Sequence, residues 1–243
     1  MTGTLYGLGV GPGDPELLTL KAHRILRDTF VIAYPQPDDG SSFARSIVAQ
    51  YLTAEQLEIP IIVPMDVKRD PAQLVFAQAA ETIAHHLDAG SDVAVLCEGD
   101  PFFYGSFMYL YQHLAGKYRC EIVPGVSSVM AASAAWARPV AARNDVFAVI
   151  PAPLPDTEIR TRIEAADAVA IMKLGRHFAR VKGLLKDMGL VEQSGYCERV
   201  SLANEKIMPL AEMDAADAPY FSIILIYKGA EGWVSRLPQQ TAP

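Results

Sequence analysis

Gly7-Leu8-Gly9-Val10-Gly11-Pro12-Gly13-Asp14-Pro15 sets a glycine-rich turn directly after an apolar stretch and directly before a helical pattern. The apolar stretch predicts a strand over residues 4–9. Asp14, Pro15 and Glu16 then supply a capping side chain, a first-turn proline and an early acid, which together signal a helix start. Glycines at such a strand end let a bound molecule approach bare backbone, because no Cβ holds it off. A dinucleotide fingerprint fits poorly. Its third glycine position carries Pro12, which has no amide hydrogen for a pyrophosphate, and the next apolar stretch, Phe30 to Tyr34, has its nearest acid, Asp28, in front of it rather than at its end.

Working outward, apolar strand candidates recur at 29–34, 59–63, 92–97 and 120–123, with helical segments between them. A long helix over 71–89 carries Leu74, Ala77, Ile83 and Leu87, and Gly90 stops it. This alternation predicts an N-terminal α/β domain with a mostly parallel sheet covered on both faces. A second set of strands is predicted at 146–150, 168–172, 196–200, 207–210 and 220–227. Its last members are separated by turns too short for crossover helices, so the second sheet should be mixed. Trp136 to Ala141 offers a connection, giving domains at 1–138 and 139–243, and residues 238–243 read as a frayed tail.

Composition narrows the function classes. The 243 residues are 51% apolar and carry a net charge of −7 without a basic run, which argues against nucleic acid as the main partner. Cys97, Cys120 and Cys197 lie far apart and read as reduced thiols. The five histidines, His23, His85, His86, His113 and His177, form no metal-ligand pattern, and His85-His86 falls near a helix end. No signal peptide opens the chain and no long apolar run crosses it, so a cytoplasmic protein without a membrane span is expected.

Two further strand ends carry loops of the same kind. The strand at 92–97 runs into Glu98-Gly99-Asp100-Pro101, and the one at 120–123 into Pro124-Gly125-Val126-Ser127-Ser128, followed by a small-residue helix over 129–136. Ligands of open α/β sheets sit at such carboxyl ends. Each loop alone reads equally as a turn or a helix cap, but three together point to a ligand site.

These three loops, with Ile171-Met172-Lys173 and Glu198-Arg199-Val200-Ser201, resemble the tetrapyrrole methylase family, the class III S-adenosylmethionine-dependent methyltransferases, over nearly the whole chain. Within it, the runs from Glu98 to Tyr109 and from Met172 to Arg176 are similar to the precorrin-2 C(20)-methyltransferases of cobalamin biosynthesis. The family's Gly-Thr pair after the Glu-Arg motif is replaced here by Ser201-Leu202. The resemblance implies two α/β domains with S-adenosyl-L-methionine folded in the cleft between them, and a homodimer. It implies cofactor contacts at Pro12, Glu98, Gly99, Asp100, Phe103, Tyr104, Ser127, Ser128, Met172, Ser201 and Leu202. Asp100 is the side chain best suited to complement the cofactor's positive charge, and Phe103 and Tyr104 can pack the cofactor, face a macrocycle or merely cover the loop.

A carboxylate-rimmed tetrapyrrole calls for cations, for which Lys173 and Arg176 stand first, with Arg45, Lys68, Arg138 and Arg143 behind them, each of which also reads as a solvated surface charge. No metal, covalent nucleophile or catalytic base is singled out. The same methylation on a cobalt-bearing macrocycle, action on a protein or RNA, and a cofactor-binding protein without turnover remain as alternatives.

Overall fold

Strand β1 covers Thr4–Gly9, as its apolar run predicts, but the signal that follows opens something shorter than a helix. The computed structural model describes residues 1–38, 40–64, 69–214, 218–229 and 231–232. Asp14 caps a single 3-10 turn, Pro15–Leu17, by accepting from the Glu16 amide, and α1 (Leu20–Asp28) starts only after a second cap, Thr19 on the Ala22 amide. Two consecutive capping residues five positions apart explain the early expectation: the first cap is genuine, but Leu18 is extended and breaks the run.

The described residues group into two compact units, Met1–Ser127 and Ser128–Pro243. In the first, β2 (Val31–Pro37), β3 (Leu57–Val63), β4 (Val93–Cys97) and β5 (Arg119–Val123) join β1 in the order β3-β2-β4-β1-β5, every pairing parallel. Helices α1 and α2 (Phe43–Val48) bury Ile25, Leu26, Ile47 and Val48 against one face. Helices α3 (Arg69–Asp88) and α4 (Phe107–Leu114) bury Phe76, Ile83, Leu87 and Leu110 against the other. β4 serves both faces by alternation, Val93, Val95 and Cys97 one way and Ala94 and Leu96 the other. Of the apolar residues expected along α3, Ile83 and Leu87 are buried, whereas Leu74 is 68% exposed; the buried stripe adds Phe76 and Ala80.

In the second unit, β6 (Phe147–Pro151), β7 (Ala168–Met172), β8 (Ser194–Glu198), β9 (Lys206–Pro209) and β10 (Ser222–Tyr227) form a sheet ordered β6-β7-β10-β8-β9. Only β6 and β7 pair in parallel, so the sheet is mixed as expected. Helices α6 (Asp156–Glu164) and α7 (Phe178–Asp187) close a core of Ile159, Ile163, Val181, Leu185, Tyr196 and Ile224. Helix α5 (Ser128–Ala135) packs on β10, and Trp136 lies over Gly195, where any Cβ would stand 2.3 Å from the indole. The structural grouping thus keeps α5 and Trp136 with the second sheet, whereas the sequence-based division at 138/139 leaves them with the first. β8 ends at Glu198, two residues before its expected end, because Arg199 turns into a left-handed conformation. Residues 238–243 lie outside the described residues.

Candidate functional site

Because β4, β1 and β5 are adjacent and parallel, their carboxyl ends fall on one edge, and the three loops predicted from sequence meet there. They are fastened to one another. Gly11 and Gly99 exchange both backbone hydrogen bonds, at 3.3 and 2.8 Å. Asp100 accepts from the Phe102 amide at 2.9 Å through one oxygen and from the Gly125 amide at 3.1 Å through the other. Glycine is required here by the neighbouring chain itself: a Cβ on Gly125 would lie 2.0 Å from the Gly99 carbonyl oxygen, and one on Gly9 would lie 2.5 Å from the Gly125 nitrogen. Gly11 and Gly99 add positive φ angles of 80° and 63°. The sequence reading assigned these glycines to ligand approach; the geometry gives Gly9 and Gly125 to the junction between loops.

Asp100 therefore has a tethering role, and its carboxylate, fixed by two amides, keeps lone pairs for a cationic ligand group. Glu98 faces elsewhere. Its carboxyl receives the Ala44 amide in the first turn of α2, and burial pushes its pKa above the usual 4.5 against that hydrogen bond. Pro12 sits in the loop after β1, two residues before the Asp14 cap. Phe103 and Tyr104 pack edge to face with centroids 5.1 Å apart, and Tyr104 adopts a φ of 59°, a conformation that bulky side chains rarely hold. Ser127 ends the first unit, and Ser128 opens α5 in the second.

On the second sheet, β7 and β8 flank β10 and both run antiparallel to it, so their carboxyl ends share an edge. Register fixes the spacing: Met172 lies across from Ile223 and Glu198 across from Ser222, neighbours on β10. The Met172–Lys173 station and the Arg199–Leu202 turn thus stand about 10 Å apart, two strand spacings. Three non-glycine residues on this edge are left-handed: Lys173, Arg199 and Ser201, at φ 60°, 49° and 65°. Such strain gathers at functional sites. The Met172 carbonyl accepts from Ala152 at 2.8 Å. In the turn, the Ser201 amide donates to Glu205 Oε2 at 2.6 Å and the Leu202 amide to the Arg199 carbonyl at 3.0 Å. With both amides engaged, any backbone contact made there to a ligand is accepted by a carbonyl.

Of the candidate cations, Arg176 is exposed in a 3-10 turn, Gly175–His177, following Lys173 on the same segment. Arg45 is engaged elsewhere, paired bidentately with Glu58 at 2.5 and 2.7 Å. Arg143 pairs with Glu231 at 2.8 Å, and Arg138 stacks 4.8 Å over Trp136. Lys68 lies outside the described residues. Among the described residues no three His, Cys, Asp or Glu side chains gather as metal ligands, and no helix is long and apolar enough to cross a membrane. Sequence reasoning missed Tyr196 and Glu205, which brace the turn after β8; the i, i+2 spacing of Tyr196 and Glu198 on a strand was the available signal.

The fold defines an α/β protein with clustered, strained loops at the carboxyl edges of two sheets. The sequence profile of the Tetrapyrrole (Corrin/Porphyrin) Methylases matches residues 4–214, and the chain belongs to that family. Cobalamin biosynthesis protein CobIJ of Mycobacterium tuberculosis H37Rv is 43% identical over 235 residues, 93% of this chain but 46% of that protein, so the chain spans about half the length of this curated relative. The precorrin-2 C(20)-methyltransferase of a Sinorhizobium species is 36% identical over 242 residues, covering 96% of this chain and 97% of that one. The cobalt-precorrin-2 C(20)-methyltransferase of Salmonella typhimurium is 34% identical over 232 residues, 94% and 98% of the two chains. A solved uroporphyrin-III C-methyltransferase from Thermus thermophilus, complexed with S-adenosylhomocysteine, shares the fold with a TM-score of 0.65 at 24% identity, over 92% of this chain and 97% of that one.

Proposed function

We propose that this chain is an S-adenosylmethionine-dependent methyltransferase that methylates C-20 of precorrin-2, giving precorrin-3A and S-adenosylhomocysteine in cobalamin biosynthesis. The observation that carries the reading is the end-to-end similarity to a precorrin-2 C(20)-methyltransferase, 36% identical over 96% of this chain and 97% of that one. The residues present fit such a cofactor: Asp100 holds a fixed negative charge at the first edge, and the turn at Ser201-Leu202 accepts rather than donates. When bound, the cofactor supplies a methyl group on a sulfonium whose leaving group is neutral. The chain's part is then orientation and exclusion of water, which together supply several kcal/mol of barrier lowering. Asp100 complements the positive charge, Lys173 and Arg176 pair with carboxylates of the macrocycle, and Phe103 and Tyr104 give an apolar, rigid wall. Pro12, Gly99, Ser127, Ser128 and Met172, with Glu98 by its backbone alone, complete the proposed cofactor surroundings. We read the protein as cytoplasmic and homodimeric, the latter checked by light scattering of the purified chain.

A second reading, the same methylation on the cobalt-bearing macrocycle, is favoured by the 34% identity to the Salmonella enzyme over 94% of this chain. Anaerobic incubation with S-adenosylmethionine and either metal-free or cobalt-loaded precorrin-2, followed by mass spectrometry, separates them. One methyl added at C-20 of the metal-free substrate is the expected result. Preference for the cobalt form selects the second reading, and cofactor binding without transfer to either substrate rejects both.

A further inference from the structure

The second unit holds a buried ionic clamp at the base of its strained turn. Tyr196 and Glu198 lie two residues apart on β8 and point to the same side of the strand. Glu198 is only 2% exposed. The Tyr196 hydroxyl donates to its Oε2 at 2.8 Å, the Arg199 guanidinium pairs with its Oε1, and Lys206, its register partner on β9, brings an ammonium to 3.6 Å. A carboxylate so far from water is tolerated only when its oxygens are partnered, so its position is determined on both sides. What it fixes is the first residue of the turn. Arg199 and Ser201 are left-handed without being glycine, and the turn closes through Arg199 N to Phe221 O at 2.9 Å and Glu205 N to Leu202 O at 2.9 Å. Unfavourable backbone persists where surrounding contacts over-determine it.

We propose that Glu198 is a positioning residue: by clamping Arg199 against Tyr196 it holds the 199–202 turn in the one shape that presents its carbonyl groups to the donors of a bound S-adenosyl ligand. The proposal rests on the functional reading above and adds the determinant of cofactor affinity on the second sheet. Two variants test it by calorimetric titration with S-adenosylhomocysteine. Glu198→Gln keeps the shape and loses the charge. Arg199→Ala cuts the link to the turn while leaving Glu198 with Tyr196 and Lys206, and because the Arg199 side chain is 35% exposed it opens no core cavity; thermal melting of each variant verifies that it is folded before titration. Each should raise the Kd for S-adenosylhomocysteine roughly five- to twentyfold, and in turnover the loss should fall on KM for S-adenosylmethionine more than on kcat. Adding Ser201→Gly to Arg199→Ala should recover much of the affinity, because glycine takes the left-handed conformation without a clamp; a purely structural clamp predicts no such rescue. Affinity within twofold of wild type in Arg199→Ala overturns the proposal and leaves the functional reading standing. Failure of the wild-type chain to bind S-adenosylhomocysteine overturns the functional reading and the clamp's role with it.

Discussion

Glu98 stands one residue beyond a strand whose five residues are all buried, and it carries an ionisable group into that environment. Desolvation raises its carboxyl pKa, partly offset by its own amide and that of Ala44. The folded chain therefore keeps this proton to higher pH than the unfolded chain does. The group's contribution to stability is full below the usual 4.5 and is lost as pH rises through the raised folded value, so the side chain supports the fold less at neutral pH than at pH 4. Glu98→Gln, whose carbonyl can still accept from Ala44, is expected to unfold at higher urea than wild type at pH 7 and at an equal concentration at pH 4. Equal midpoints at pH 7 would mean that the carboxylate is better hydrated than its burial implies. Asp100, two residues on, is the contrasting case: its charge is anchored by amides from two separate loops, so its removal loosens the edge instead of relieving it.

At the scale of elements, glycine means opposite things in the two units. Gly125 follows β5 against two other loops, and Gly125→Ala forces a Cβ to 2.0 Å from the Gly99 oxygen and 2.8 Å from Gly9 Cα, backbone atoms that cannot step aside. Gly183 lies in exposed mid-α7 with nothing within 4 Å of its Cβ position. Urea denaturation should show Gly125→Ala losing about 2 kcal/mol or more and Gly183→Ala gaining about 0.5–1 kcal/mol. A Gly125→Ala variant as stable as wild type would show that the loops are not fastened as described.

The same scale shows why part of the structure was legible in sequence. β1 and β7 are apolar runs with clear punctuation, so their bounds are found to the residue. The start of α1 was misplaced because a 3-10 turn and a helix use identical caps, and only the extended Leu18 tells them apart. The three loops of the first edge were recognisable only as a group, since proline, glycine and aspartate after one strand make an ordinary turn and it is their recurrence after three strands that stands out. The clamp was legible only in part: the i, i+2 spacing of Tyr196 and Glu198 stands in the sequence, but Lys206 joins them only once β8 and β9 are set in register.

Over the whole molecule, each unit is built on its own sheet and core, and each buries one thiol: Cys97 on β4 in the first and Cys197 on β8 in the second, while Cys120 is partly accessible. Burial pushes Cys197 up to about 12 and Cys97 well above the ordinary range, leaving little thiolate for reaction. Iodoacetamide at pH 8, read by mass spectrometry, should modify Cys120 alone in the native protein, with Cys97 and Cys197 labelled only as their units unfold. Rapid native labelling of Cys197 would contradict its place between β8 and α5, where its sulfur approaches the Ala132 carbonyl at 3.8 Å.

The junction of Gly11, Gly99, Asp100 and Gly125 also constrains how the chain is made. Its members are brought together across long stretches of sequence, with the last of them at Gly125. During synthesis from the amino terminus, the glycine-rich turn after β1 emerges early but cannot take its final form until β4 and then β5 have left the ribosome and β1 has been enclosed between them. The first sheet's carboxyl edge is accordingly the last part of that unit to be finished, and ribosome-bound chains arrested shortly before residue 125 emerges would hold an open, unfastened edge.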